Sequence, residues 1–265
     1  MSARWTPDEE KLKYEELRQL YIYENKTIFE IGEILGIAYQ TVYDRLIRLG
    51  IKSQPENKPF FLNKTKAKIP RCYTIKLAEF VGIMLGDGHI SSKNGQIIVT
   101  LNSDLDSDFI EYVSNLIIDL FSTKVTKRSK IGRRATDIIT TSVEVVEFLK
   151  EIGLYSTNKV RDQVDVPNWI KNNPKFWKPF VRGFFDTDGS IYKLKFGVQI
   201  TFTNHSRPLL DATQSFLIQM GYYPSKVSCY HVYLTRRKDL VRYSQEIGFS
   251  NKKHFDRAKV FCIIT

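Results

Sequence analysis

Two apolar runs, at residues 80–85 and 181–185, carry small residues four apart (Gly82 and Gly86 in one, Gly183 and Thr187 in the other). Each closes on Asp-Gly, at Asp87-Gly88 and Asp188-Gly189, and the two acidic positions lie 101 residues apart. A spacing that long marks a duplicated domain. Such a run packs helix against helix through its small positions, and the closing Asp-Gly turns the chain out of the helix with a carboxylate at its foot. Packed together, the two helices set two carboxylates side by side, the geometry that a pair of divalent cations needs.

The same elements follow each motif. After Asp87, residues 96–102 read as a strand with Ile97, Val99 and Leu101 on one face. After Asp188, residues 195–203 alternate cleanly, setting Lys195, Gln199, Thr201 and Thr203 opposite Phe196, Val198, Ile200 and Phe202. Each strand leads into a helix (106–121, 208–220), then a hairpin (124–141, 226–235), then another helix. Those last helices end in the same tripeptide, Glu151-Ile152-Gly153 and Glu246-Ile247-Gly248, an independent sign of duplication. The pattern predicts an α+β fold with two pseudo-symmetric halves, residues 71–170 and 171–265.

Residues 1–54 read as a separate helical unit. Thr6-Pro7-Asp8-Glu9 supplies an N-cap hydroxyl, Pro at the first helical position and Glu at N3, a helix start. Further on, Gly32, Gly36 and Val42 resemble the helix-turn-helix pattern: a small residue for close helix contact, Gly in the turn and a β-branched plug. That resemblance implies a DNA-binding domain with Tyr39, Gln40, Thr41, Tyr43 and Arg45 on or beside the recognition face. A helix pair used only for packing is the other reading. Residues 55–70, with Pro55, Pro59 and Pro70 among Lys58, Lys64, Lys66 and Lys68, read as a basic linker.

Composition points to a polyanionic partner. Forty Lys+Arg against 29 Asp+Glu leave a net charge of +11, so nucleic acid is the first candidate. No apolar run approaches a membrane span, and the N-terminus lacks a signal-peptide core, so an intracellular, cytoplasmic location is expected, with an organellar matrix also open. Cys72, Cys229 and Cys262 are scattered, which argues against a disulfide framework and a zinc site. His89, His205, His231 and His254 show no metal-ligand spacing.

The paired motifs resemble the LAGLIDADG homing endonucleases in their single-chain, two-motif form, from about Tyr73 onward. The resemblance implies αββαββα-like halves with saddle-shaped antiparallel sheets over double-stranded DNA, acting as a monomer. It implies a Mg²⁺-dependent phosphodiester hydrolase that cuts both strands at a long asymmetric site, as in intron homing. Asp87 and Asp188 match the metal-binding acidic position, for two or more divalent ions. Lys159 and Lys253 match the active-site lysines, with Lys252 a one-residue alternative, and Asn204 matches the strand-end amide. Its first-half counterpart is Asn102 or Ser103. Lys195, Gln199 and Thr201 fall on the DNA-reading strand face. The first motif departs by carrying Leu85 where the second keeps Asp186, a position that is not the family's metal ligand.

Two other functions share these features. One is a non-cleaving DNA-binding regulator or an intron RNA maturase on the same fold; the two intact acidic positions argue for cleavage instead. The other is an intein. The chain opens on Met and lacks both a nucleophilic first residue and a His-Asn ending, so self-splicing is not expected.

Overall fold

The computed structural model describes residues 7–24, 26–51, 67–129, 132–154 and 158–264. The chain divides into two compact units, Met1–Leu62 and Asn63–Thr265.

In the first unit, α1 (Pro7–Arg18) runs into a π-type turn at Gln19–Tyr23, and α2 (Ile28–Leu35) and α3 (Tyr39–Arg48) follow. The predicted cap Thr6 lies outside the described residues. Thr27 opens α2 with a capping box: its hydroxyl accepts from the Glu30 N–H, and the Glu30 carboxylate accepts from the Thr27 N–H at 2.8 Å. Gly36 turns the chain with φ +64°. Gly32 has no room for a side chain, since a Cβ there would stand 2.8 Å from the Ile37 carbonyl. Leu17, Ile28, Ile31, Val42, Leu46 and Ile51 form this unit's own core. Most of the predicted basic linker, residues 55–66, lies outside the described residues; residues 67–70 carry no regular structure.

In the second unit, α4 (Ile75–Gly86) is opened by Thr74, whose hydroxyl accepts from the Leu77 N–H at 3.1 Å. It leads into β1 (Gly88–Ser91), β2 (Gln96–Leu101), α5 (Ser107–Phe121), β3 (Thr126–Ser129), β4 (Thr136–Thr141) and α6 (Val143–Glu151). The strands pair antiparallel in the order β1-β2-β4-β3. After the short α7 (Asn168–Lys171) the plan repeats: α8 (Trp177–Asp188), β5 (Gly189–Leu194), β6 (Gly197–Thr203), α9 (Arg207–Gln219), β7 (His231–Leu234) and α10 (Arg237–Glu246), with α11 (Lys252–Val260) appended. The second sheet runs β5-β6-β7. Gly153 and Gly248 end the last helix of each half at positive φ, as the shared tripeptide predicts.

The two halves meet through α4 and α8. A Cβ on Gly82 would lie 2.3 Å from the Phe180 carbonyl, and one on Gly183 would lie 2.1 Å from the Glu79 carbonyl. The backbones therefore touch where the small residues fall. One continuous core spans both halves, from Leu77 and Phe80 to Phe184 and Phe202.

Two expectations need correction. The hairpin predicted at 226–235 keeps only β7 as a strand; its first arm is reduced to a bridge between Ser228 and His231. Pro224 lacks an amide donor, and the Ser225 hydroxyl accepts from the Tyr233 N–H where a strand carbonyl would serve. The strand predicted from Lys195 begins at Gly197, which leaves Lys195 and Phe196 in the β5-β6 turn, with Phe196 89% exposed rather than in the core. Gly88 and Gly189 are not left-handed. They are required because a Cβ would strike the Met84 backbone at 2.5 Å or the Phe185 ring at 2.2 Å.

Candidate active site

The close helix pair ends in the two carboxylates. Asp87 follows the last turn of α4, and Asp188 is the last residue of α8. Asp188 is half-buried, and Asn204, just past the end of β6, donates its amide to Oδ2 at 2.5 Å. Burial, followed by the charge of Asp87, raises the Asp188 carboxyl to about 7, against the pull of Asn204 and Lys159. Asp87 is more open, in a concave position whose desolvation raises its pKa; Lys159 opposes that shift, and Asp106 adds to it. The charge of Asp87 is thus felt at Asp188.

Lys159 sits at the end of α4, within electrostatic reach of both acids. Its ammonium donates to the carbonyls that end α4, to Leu85 at 3.1 Å, Met84 at 3.3 Å and Gly86. Burial lowers its pKa, and Asp188 and Asp87 pull it back up. A cation is thus seated on a helix C-terminus, where the backbone dipole favours it, and faces both carboxylates. The preceding Ser156 and Thr157 lie outside the described residues.

Lys253 arrives from α11. Its ammonium pairs with Asp106 at 2.8 Å, and its charge is felt at Asp87. The neighbouring Lys252 turns away to an exposed pair with Asp108 at 3.3 Å. Asp106, which the sequence presents only as a helix start, stands at the N-cap of α5 without capping it. Its buried carboxylate accepts from Asn251 at 2.9 Å and from the Asn102 N–H at 3.2 Å.

Asn102 mirrors Asn204 in part: each side-chain carbonyl accepts from the N–H two residues on, but only Asn204 is seen donating its amide to the acid of its half. The Asn102 side-chain carbonyl accepts from the Asp104 and Leu105 amides, and the Ser103 hydroxyl bonds to Asp104. The acid that stands near Asp87 in the first half is Asp106.

On the second sheet, Gln199 is half-buried and Thr201 is 1% exposed. The expectation of an open polar face fails at Thr201, because the Tyr192 phenol accepts from its hydroxyl at 2.8 Å and covers it. The exposed Lys195 ammonium lies 5.1 Å from the Phe196 ring centroid. In the first unit, Tyr39, Gln40 and Tyr43 are exposed on α3, and Thr41 and Arg45 are half-buried beside them. The Gln40 amide donates to the Tyr39 hydroxyl at 2.8 Å.

Twin antiparallel-sheet halves joined through glycine-bearing helices make up the second unit. Within it, residues 178–248, from α8 to the end of α10, match the family model described as the LAGLIDADG-like domain. Replication factor C small subunit of Methanocaldococcus jannaschii is 29% identical over 188 residues, 68% of this chain and 10% of that protein. tRNA-splicing ligase RtcB of Methanopyrus kandleri is 29% identical over 136 residues, 45% of this chain and 13% of that protein. The chain thus spans a small fraction of these two relatives' length. Among solved structures, mesophilic variants of the homing endonuclease I-DmoI align with 15% identity over 66% of this chain and 95% of theirs, at a TM-score of 0.47. No helix among the described residues is long and apolar enough to cross a membrane.

Proposed function

We propose that the chain is a site-specific DNA homing endonuclease that makes a metal-dependent double-strand cut at a long asymmetric site. The observation that carries this reading is the placement of Asp87 and Asp188 at the ends of the packed helices α4 and α8, with the charge of Asp87 felt at Asp188 and the charges of both felt at Lys159. The net charge of +11 supports a DNA partner. The matched stretch is a minor part of two relatives with unrelated names, which supports a module that travels independently of its host.

The donor set fits Mg²⁺ or a similar hard cation. Both groups are carboxylates, and their mutual repulsion is relieved by added positive charge. Among the described residues no cluster of three or more His, Cys, Asp or Glu converges, so water and phosphate oxygens would complete the coordination. When bound, the cation supplies charge stabilisation and a more acidic water. The protein's own residues do the rest. Asn204 orients Asp188, Asp106 holds Lys253 near Asp87, and both ammonium groups offset negative charge developing on phosphate. Lys195, Gln199 and the polar face of β6 contact DNA, as do Tyr39, Gln40, Thr41, Tyr43 and Arg45 of the N-terminal unit.

Selection of cleaved sites from a randomised DNA pool, with Mg²⁺ and with EDTA, tests the proposal. Asp87→Asn and Asp188→Asn are expected to bind the selected site and fail to cut it. A wild-type chain that binds a defined site and never cuts it would establish the non-cleaving regulator instead.

A further inference from the structure

Asp186 lies two positions before Asp188, yet its contacts lead away from it. The carboxylate is 1% exposed, and its Oδ2 accepts from the Ser250 N–H at 2.7 Å. The next residue, Asn251, is equally buried; its amide bridges the Asp186 carbonyl at 3.2 Å and Asp106 at 2.9 Å. The Asn251 side-chain carbonyl then accepts from the Lys253 N–H at 3.0 Å, and the Lys253 ammonium closes the circuit on Asp106. A second anchor fixes the same segment from the first half: the Ser250 hydroxyl donates to Glu79 at 2.6 Å. Residues 250–253 are thus held from both sides, and the charge of the Lys253 ammonium, paired with Asp106, reaches Asp87.

Packing alone does not require a carboxylate at this position. The matching residue of the first motif is Leu85, buried at 3% exposure, and the fold accommodates it. Moreover, Asp186 Oδ1 has no hydrogen-bond partner among the described residues, so this acid is held at a desolvation cost that Leu would avoid. The Lys159 of the first half is secured differently, on the α4 carbonyls, and needs no such anchor.

We propose, on the endonuclease reading above, that Asp186 is a positioning residue for Lys253. Acting through Ser250 and Asn251, it serves the half-site of Asp87 and not that of its sequence neighbour Asp188. The two strands of a target therefore depend on it unequally.

The test uses the full chain and a duplex with separately labelled strands. Asp186→Leu is expected to slow the strand that Lys253→Met slows, by roughly tenfold or more, and to leave the other strand within about twofold. Asp186→Asn, which keeps an acceptor for the Ser250 N–H, is expected to restore most of the rate. Asp186→Leu is expected to stay folded, with its melting temperature lowered only by the unpaired Ser250 N–H, and a strand-biased loss of rate then separates positioning from folding. If that variant does not fold, Asn251→Leu is expected to show the same strand bias. Equal loss on both strands, loss on the opposite strand from Lys253→Met, or no loss would overturn the inference. A wild-type chain that cuts neither strand would instead remove the endonuclease reading, and the inference with it.

Discussion

Arg182 of α8 reaches across the helix pair to the buried carboxylate of Glu79 on α4, donating from Nε at 3.1 Å and from its second nitrogen. Tyr112 and Ser250 complete the coordination of Glu79, so four elements converge on one acid. Removing one partner of a buried pair leaves an uncompensated charge, which costs more than the pair itself contributes. Arg182→Met is therefore expected to lose about 3 kcal/mol in denaturant unfolding. Adding Glu79→Gln should recover a large part of that loss, and a double-mutant cycle with no coupling would contradict the account.

Gly82 and Gly183 set the separation of α4 and α8. An added methyl at either meets backbone, which cannot swing aside as a flexible side chain can. Gly82→Ala and Gly183→Ala are each expected to cost about 3 kcal/mol or more. Gly36→Ala, in open space at φ +64°, should cost less and through backbone strain alone. Equilibrium unfolding of the three variants distinguishes the two causes.

What the sequence reveals and conceals follows from distance along the chain. The paired acids are legible because each motif is local: small residues at helical spacing, then Asp-Gly. The α+β class is legible from the alternation of Ile97, Val99 and Leu101 and from the repeated Glu-Ile-Gly. Asp106 is not, because an acid before a helix reads as an N-cap and its partner Asn251 lies 145 positions away. Thr201 misleads for a related reason. Alternation assigns it to the polar face, but only the pairing of β5 with β6 brings Tyr192 over it. Phe196 fits the apolar period and sits in a turn, since periodicity does not mark where a hairpin reverses.

His254 makes the protein acid-sensitive. Its ring is buried between Phe185 and Phe249. Burial, followed by the charges of Lys253 and Arg257, lowers its pKa to about 3, against smaller upward pulls from Asp106 and the Asp186 backbone. The folded state thus favours the neutral ring, so its contribution is complete above the ordinary value of 6.5 and is lost as pH falls toward 3. At pH 5 the loss is about 2 kcal/mol. His254→Phe should remove that term, raising stability relative to wild type by this amount at pH 5 and by almost nothing extra at pH 7.5. A stability difference independent of pH would show that the ring titrates normally.

The N-terminal unit offers a separate test, because its proposed role is electrostatic and outside the chemistry. On α3, Val42 and Leu46 point into the core, while Gln40 and Tyr43 face outward with Arg45 on their flank. Arg45 has its pKa lowered by burial and by Arg48, so the helix carries concentrated positive charge that a phosphate would relieve. Replacing Arg45 with Ala is expected to weaken binding to a selected site and to reduce the slope of log affinity against log salt by about one. The single-turnover cleavage rate at saturating protein should not change, since neither acid and none of the side chains bonded to them is altered. Gln40→Ala offers the contrast: a neutral amide that reads a base edge leaves the salt slope intact and relaxes preference at one position by about 1–3 kcal/mol. If both variants bound, cut and responded to salt as wild type does, α3 would not be a DNA-contacting helix, and the affinity of the chain would rest on its two antiparallel-sheet halves.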